Sequence, residues 1–289
     1  MQQVLPQITH RSSGKNYFLF ERRFLAASHA RSRSFGVIVS GRFPSLSSAS
    51  RIVSKRRQNR FKQSFSGSVS PAVLQEMMAG NLSAGISAKT AEICVLFSDI
   101  RGFTGLSESL SPEKVTSLLT RYFDRMVACV HRYDGTMDKF MGDGMMVLFG
   151  APRSVGNPCA SAVKCALDMV DALTPLNEEL AAEGLPQLKI GIGINYGKVV
   201  VGNIGSTQRH NYSAIGDAVN VASRVEGLTK RLGAPIVLTD ALKEQLGGAF
   251  DLIDFGEQAI RGHSAKRLWG VNAQGSITKA ALLPPAVVH

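Results

Sequence analysis

The sequence predicts an α+β fold for residues 90–272, a ferredoxin-like βαββαβ antiparallel sheet with helices. Three observations predict it. Short apolar runs alternate with longer amphipathic segments, the first elements follow the order β-α-β-β-α-β, and hydrophobic residues make up 44% of the chain. That hydrophobic share is enough for a sizeable packed core. The order of elements is typical of an antiparallel sheet covered by helices on one face.

The first half of this domain is predicted to contain a strand, a long helix and a hairpin. Residues 93–98 (ICVLFS) form a short apolar run suited to a buried strand. A Ser-Pro-Glu cap begins a helix over residues 111–133, because apolar side chains recur on one face at helical spacing. Apolar runs at 136–141 and 145–149 flank Gly142-Asp143-Gly144, which indicates a hairpin.

The second half continues the alternation of helices and strands. A helix is predicted at 158–173, and strands at 188–195 and 198–203 are predicted to pair around Tyr196-Gly197. A third helix begins near Asp217. The remaining predicted elements are strands at 235–238, 250–255 and 267–271 and a helical turn at 241–245.

The positive charge of the chain is concentrated in an N-terminal arm, residues 1–62. The arm holds 13 Lys and Arg residues against one acid, whereas the rest of the chain holds 20 bases and 21 acids. The net charge of +11 is therefore no reason to expect the domain to bind a specific nucleic acid. The Ser-, Arg- and Gly-rich arm shows no period, which predicts disorder; its composition also fits a transit peptide, a remnant of a longer sensor protein or a wrongly chosen start codon. A short helix and linker are predicted at 63–89 and a loose tail at 273–289.

Cysteine spacing and hydropathy limit the classes of protein. The four cysteines show no CxxC spacing and no neighbouring His cluster, which predicts reduced, buried thiols in a cytoplasmic protein. No run of 18 or more apolar residues occurs, so we expect no transmembrane segment in this chain. The absence of a GxxxxGK[ST] string argues against a P-loop NTPase.

Two acidic residues occupy special positions in this pattern. Asp99 follows the first strand, and Asp143 lies at the tip of the hairpin. If the two strands are neighbours, both carboxylates reach the same edge of the sheet, where they suit hard cations such as Mg²⁺ or Mn²⁺. Two such ions side by side can activate an attacking oxygen and neutralise a phosphate. The alternative is that each Asp is an ordinary turn residue.

Three strings, two of which include these residues, resemble the class III adenylate and guanylate cyclases. They are FSDIRGFT at 97–104, DKFMGDG at 138–144 and NYSAIGDAVNVASRVEG at 211–227. The resemblance covers residues 90–271, and the match of these strings is specific, although Ser213 departs from the two residues that are commonest at its position. It implies the nucleotidyl cyclase catalytic fold and places the chain beside the bacterial or soluble-type adenylate cyclases, which convert ATP to 3′,5′-cyclic AMP and pyrophosphate.

The resemblance also implies the cofactors and their ligands. Two divalent metal ions, Mg or Mn, are expected at Asp99, at the backbone carbonyl of Ile100 and at Asp143. Gly102 and Phe103, which belong to the same FSDIRGFT string, are expected to contact the substrate.

Base reading is assigned by the resemblance to Lys139 and Ser213. Ser213 keeps the hydroxyl of the Thr that is common in the bacterial and soluble subgroup, although the mammalian membrane enzymes have Asp there. Guanylate cyclases usually place Glu and Cys at these two positions, so the pair present here favours adenine. The alternatives are a guanylate cyclase, or an inactive cyclase domain used for dimerisation or nucleotide sensing.

The remaining implied residues handle ribose and phosphate. Asn220 would orient the ribose and Arg224 would stabilise charge on the α-phosphate; four residues apart, they share one helical face. Arg261 matches a family lysine that holds the terminal phosphates, with the charge kept and the geometry changed. Lys198 is either another phosphate contact or a plain surface lysine.

Family sites lie between two catalytic domains. One domain gives the metal-binding aspartates, and the other gives the base readers, the Asn and the Arg. Because this single chain contains both sets, the resemblance implies a head-to-tail homodimer with two equivalent ATP sites.

Overall fold

A computed structural model describes residues 70–82, 85–153 and 156–272. The predicted arm at 1–62 and tail at 273–289 lie outside the described residues, as does part of the predicted linker. Within the described ranges, eight strands form one sheet, and helices pack against it.

The elements alternate along the chain as the sequence predicts. The strands are β1 (Ser87–Ile100), β2 (Thr136–Met141), β3 (Gly144–Phe149), β4 (Ile190–Gly205), β5 (His210–Ile215), β6 (Ile236–Thr239), β7 (Leu252–Gln258) and β8 (Lys266–Val271). The helices are α1 (Pro71–Met78), α2 (Phe103–Glu108), α3 (Pro112–Arg132), α4 (Pro158–Asp171), α5 (Leu173–Ala182), α6 (Asp217–Leu228) and α7 (Asp240–Lys243), and a short 3₁₀ turn follows at Glu244–Leu246.

The sheet has the strand order β2-β3-β1-β4-β6-β8-β7, and β5 pairs with β4 beside this path. The pairs among β2, β3, β1 and β4 are antiparallel, as predicted, whereas β4 and β6 run parallel. The predicted α+β fold with a βαββαβ opening is therefore confirmed. Among the described residues, no helix combines the length and the apolar character that crossing a bilayer requires.

Strand β4 corrects one prediction. The separate strands predicted at 188–195 and 198–203 form one continuous strand, Ile190–Gly205. Tyr196 and Gly197, which were predicted to turn the chain, pair with Cys94 and Ile93 of β1 without a break in register. The long neighbouring strand provides hydrogen-bond partners along the whole of β4, and this tertiary pairing overrides the local turn signal.

The two faces of β4 differ in side-chain size, and this determines where helices lie. Ile190, Ile192 and Ile194 join the core that α3, α4 and α5 cover. A Cβ at Gly193 would lie 2.1 Å from the backbone nitrogen of Glu226, so only a residue without a side chain lets α6 approach this closely. Helix α6 therefore packs on the opposite face, which corrects the expectation that helices cover one face only.

Three further elements were not predicted, and the first is the short helix α2 (Phe103–Glu108) after β1. Helix α5 directly follows α4 and buries Leu173, Leu176 and Leu180 in the same core. No side-chain cap marks its start, since its N-cap is Ala172. Strand β5 begins one residue before the NYSAIGD string, and its six residues pair with the end of β4.

Candidate active site

The two predicted acids meet at one edge of the sheet. Strand β1 pairs with β3 so that Ser98 is opposite Met145, and Asp99 therefore lies next to the turn that carries Asp143. A Cβ at Gly144 would lie 3.0 Å from Oδ1 of Asp99, so this glycine leaves the space that the carboxylate occupies. The structure thus brings together the residues that end β1 and that form the β2–β3 turn.

Like charge and burial together perturb Asp99. Burial, with the charge of Asp143 as the next cause, raises the pKa of Asp99 to about 6. The carboxylates of Asp99 and Asp143 lie beside the backbone carbonyl of Ile100 at the end of the strand. Oxygen atoms of these kinds are hard donors that suit divalent cations. In the described part of the chain, no group of three or more His, Cys, Asp or Glu side chains is arranged to hold a metal ion, so the candidate donor set is this pair and the carbonyl.

A third carboxylate, which the sequence analysis did not single out, lies behind the pair. A Cβ at Gly191, the residue opposite Asp99 on β4, would be 2.8 Å from Oε1 of Glu226. Burial, followed by the charge of Asp99, raises the pKa of Glu226 to about 7, while Arg101 opposes the shift. Glu226 belongs to the string at 211–227, but nothing in the sequence shows that its side chain faces the sheet.

The predicted base readers are in contact, although they lie on strands that do not pair with each other. Nζ of Lys139 on β2 donates to Oγ of Ser213 on β5 over 3.1 Å. The Lys139 side chain is half exposed, whereas Ser213 is buried. Ser213 in turn donates to Oδ2 of Asp138 over 2.7 Å, a contact that the sequence analysis did not anticipate.

Helix α6 presents the predicted ribose and phosphate residues on its outer side. Asn220 is exposed, and the Arg224 guanidinium donates to the backbone carbonyl of Arg261. The loop that carries Arg261 is also joined to the start of α6, where Nδ1 of His263 lies 3.4 Å from Oδ1 of Asp217. The structure therefore brings Arg224 next to the backbone of the exposed residue Arg261, and cationic side chains are the groups that suit a polyphosphate.

The other predicted residues surround the end of β1 or lie away from it. Gly102 is exposed and adopts a left-handed backbone conformation (φ 73°) as the N-cap of α2. Phe103 begins α2, and its ring packs partly against the main core. Lys198 is exposed on β4, opposite Glu92 and seven residues along the strand from Gly191, a separation of about 23 Å.

Within one chain, the carboxylate pair and the outer face of α6 point in different directions. Glu226 is directed at the sheet next to Asp99, and successive helical residues turn by about 100°, so Arg224 is directed about 200° away from Glu226. Arg224 therefore faces away from the Asp99 of its own chain.

The raised pKa of Asp99 predicts a stability change. The native state binds the Asp99 proton more tightly than the unfolded chain does. The contribution of this group to the free energy of unfolding therefore falls as pH rises from about 4 to about 6. A carboxyl pKa moved from 3.8 to about 6 costs up to ~3 kcal/mol at neutral pH, and solvent screening of this partly exposed group reduces that to about 1 kcal/mol. We expect Asp99→Asn to raise the free energy of unfolding by about this amount in metal-free urea titrations at pH 7.5.

The same titrations at pH 4 provide the control, because Asp99 is then protonated in the native state and the gain should disappear. Asp171→Asn, at an exposed residue that ends α4, should change neither value. A loss of stability for Asp99→Asn at pH 7.5 would contradict the stated cost of burying this charge beside Asp143.

Comparisons with known proteins give consistent results. Residues 86–273 match the family described as "Adenylate and Guanylate cyclase catalytic domain". The chain is 36% identical over 180 residues to "Adenylate cyclase 1" of Rhizobium meliloti (strain 1021), covering 62% of this chain and 27% of that protein. It is 39% identical over 170 residues to "Adenylate cyclase" of Anabaena cylindrica, covering 57% of this chain and 33% of that protein. The chain thus spans about a third or less of these relatives.

Solved structures include both an adenylyl and a guanylyl cyclase. The adenylyl cyclase CyaB from P. aeruginosa has a TM-score of 0.61 and 33% identity, covering 67% of this chain and all of that one. The guanylyl cyclase Cya2 has a TM-score of 0.60 and 37% identity, covering 64% of this chain and 94% of that one. Structural likeness alone therefore does not distinguish the two bases, and the side chains at the base-reading positions carry that argument.

Proposed function

The chain belongs to the family of adenylate and guanylate cyclase catalytic domains, and we propose that it is an adenylate cyclase that acts as a cytoplasmic homodimer. The reaction is the conversion of ATP to 3′,5′-cyclic AMP and pyrophosphate. It requires a base-reading pair, a site for divalent metal ions and cationic groups at the phosphates, and this chain has candidate residues for each.

The observation that carries the proposal is the contact of Lys139 with Ser213. The ammonium group is a donor for N1 of adenine, and the hydroxyl oxygen beside it is an acceptor for the 6-amino group. A guanine ring would place a donor at N1 and an acceptor at position 6, which leaves both protein groups mismatched. The named adenylate cyclases among the relatives agree with this interpretation.

The residues of the chain act in this proposal by positioning and by charge. Asp99, Asp143 and the Ile100 carbonyl would hold two Mg²⁺ or Mn²⁺ ions, which when bound supply the charge that makes the ribose 3′-oxygen nucleophilic and neutralises phosphate. Asn220 orients the ribose for attack on the α-phosphorus, and Arg224 stabilises the charge that develops there. No covalent nucleophile is needed.

The homodimer follows from the opposed directions of these groups. Arg224 faces away from the Asp99 of its own chain, so a head-to-tail pair with two-fold symmetry completes two equivalent sites. Large apolar side chains that are exposed in the single chain support an interface, since Val200 and Ile215 face each other across β4 and β5 with 39% and 53% exposure. Phe140 and Met141, beside the carboxylate turn, are exposed as well.

The test is a product assay on the purified full chain. ATP or GTP is incubated with Mg²⁺ or Mn²⁺, and cyclic AMP and cyclic GMP are both quantified by mass spectrometry. We expect cyclic AMP as the main product, with kcat/KM for ATP at least about tenfold above that for GTP.

The other outcomes identify the alternatives. Cyclic GMP as the main product would support a guanylate cyclase, which the 37% identity to Cya2 makes the second candidate. If a folded, dimeric protein forms neither cyclic AMP nor cyclic GMP, the result would indicate an inactive domain that serves dimerisation or nucleotide sensing.

A further inference from the structure

A buried carboxylate stands directly behind the base-reading pair. Oδ2 of Asp138 accepts a hydrogen bond of 2.7 Å from the Ser213 hydroxyl. Its other oxygen, Oδ1, lies 3.6 Å from Nζ of Lys139 and has no hydrogen-bond partner among the described residues. The Asp138 side chain is only 1% exposed, so it contacts the two base readers but is shielded from a ligand.

A β-bulge produces this arrangement. Consecutive residues of a regular strand point to opposite faces, which would separate Asp138 from Lys139. The pairing of β2 with β3 shifts register between Met137 and Lys139, so Asp138 is the extra residue of the bulge. A bulge redirects side chains locally, and here both Asp138 and Lys139 reach Ser213 on β5.

The hydrogen bonds of Ser213 determine where its hydroxyl proton points. A hydroxyl has one proton to donate and two lone pairs that accept. Burial raises the pKa of Asp138, while the Ser213 hydrogen bond and the charge of Lys139 lower it. Ser213 donates its proton to Oδ2 of Asp138, and Lys139, whose ammonium group can only donate, occupies one lone pair of the Ser213 oxygen. The remaining lone pair of Ser213 can only accept from a ligand.

We propose that Asp138 is the positioning residue that sets base specificity, because it holds the Ser213 proton and thereby makes Ser213 an obligate acceptor toward the purine. The 6-amino group of adenine donates to such an acceptor, whereas the 6-oxo group of guanine or hypoxanthine opposes it with a second acceptor. This inference rests on the proposed function in taking a purine nucleoside triphosphate as the ligand of Lys139 and Ser213.

Removal of the Asp138 acceptor frees the hydroxyl to rotate. In Asp138→Ala, Ser213 can donate outward to a 6-oxo group, so discrimination against GTP should fall. Asp138→Asn keeps an amide oxygen that can still accept the Ser213 proton, and so should preserve discrimination. If Asp138 acted only through its negative charge beside Lys139, both variants would lose discrimination against GTP to the same extent.

The experiment measures kcat/KM for ATP and GTP in full-length wild type, Asp138→Ala and Asp138→Asn, with exposed Asp171→Ala as the control. We expect the ATP:GTP ratio to fall about 10- to 100-fold in Asp138→Ala and to stay within about threefold of wild type in the other two variants. On a Ser213→Ala background, Asp138→Ala should not change the ratio further. An unchanged ratio in Asp138→Ala, or equal losses in Ala and Asn, overturns the proposal.

A second measurement does not depend on how the variants fold or on catalysis. Binding of 3′-deoxy triphosphates, which cannot cyclise, is measured on the wild-type protein by calorimetry for adenine, unsubstituted purine and hypoxanthine. An acceptor at Ser213 and a donor at Lys139 together predict the tightest binding for adenine and the weakest for hypoxanthine. Purine merely lacks the 6-amino donor, whereas hypoxanthine opposes both protein groups. If hypoxanthine binds as tightly as purine, the role of Asp138 is overturned. If the three bases bind in the predicted order but the protein forms no cyclic product, only the proposed function is overturned.

Discussion

Asp99→Asn and Asp143→Asn are each expected to lower kcat/KM for ATP by at least about 10³-fold, which corresponds to about 4 kcal/mol of lost transition-state stabilisation. Both carboxylates lie at one sheet edge, and Asn keeps the shape of the side chain while it removes one negative charge from the proposed donor set. The measurement is initial-rate kinetics of cyclic AMP formation at saturating Mg²⁺ and Mn²⁺. Calorimetric titration with Mn²⁺ should show weakened ion binding in the same variants.

Controls separate this loss from misfolding and from a general charge effect. Asp171→Asn, which removes an exposed carboxylate at the end of α4, should retain wild-type rates. Asp99→Asn is expected to be more stable than wild type, so a measured gain in the urea titrations would exclude unfolding as the cause of its inactivity. Retention of more than about a tenth of the wild-type rate in both variants would show that the carboxylate pair is not the catalytic metal site.

Local signals were sufficient for the part of the site that forms at the ends of strands. Asp99 follows an apolar run, and Gly142-Asp143-Gly144 divides two others, so strand ends and a hairpin could be predicted without any tertiary information. The structure places both acids at one edge because β1 is the neighbour of β3. Helix α3 was predicted equally well, since a Ser cap and a Pro in the first turn mark its start.

Features that depend on long-range pairing could not be predicted. Tyr196-Gly197 has the composition of a turn, and only the length of β1 keeps it extended. Asp138 is an ordinary polar position in an alternating strand until the bulge in β2 buries it. Glu226 lies in a helix whose buried side depends on glycines of β4, so its approach to Asp99 emerges only from the packed structure. Each of these positions is determined by a partner distant in sequence.

Mixing two inactive variants should restore activity, and this is the expected result that depends most directly on the shared site. In a heterodimer of Asp99→Ala and Arg224→Ala chains, one site carries both substitutions and the other carries neither. Random reassortment makes about half of the dimers heterodimers, and each heterodimer has one intact site out of two. The mixture should therefore reach about a quarter of the wild-type rate, whereas either variant alone should stay below about a thousandth of it.

The matched control for this recovery is a mixture of Asp99→Ala with Asp143→Ala. Both substitutions remove residues from the carboxylate side of the site, so every site in every dimer keeps one defect and no recovery is expected. Arg224 faces away from its own Asp99 because it lies on the side of α6 opposite Glu226, and this geometry is why the two pairings should differ. Equal recovery in both mixtures, or none in either while size-exclusion chromatography shows dimers that exchange subunits, would contradict a site built from two chains.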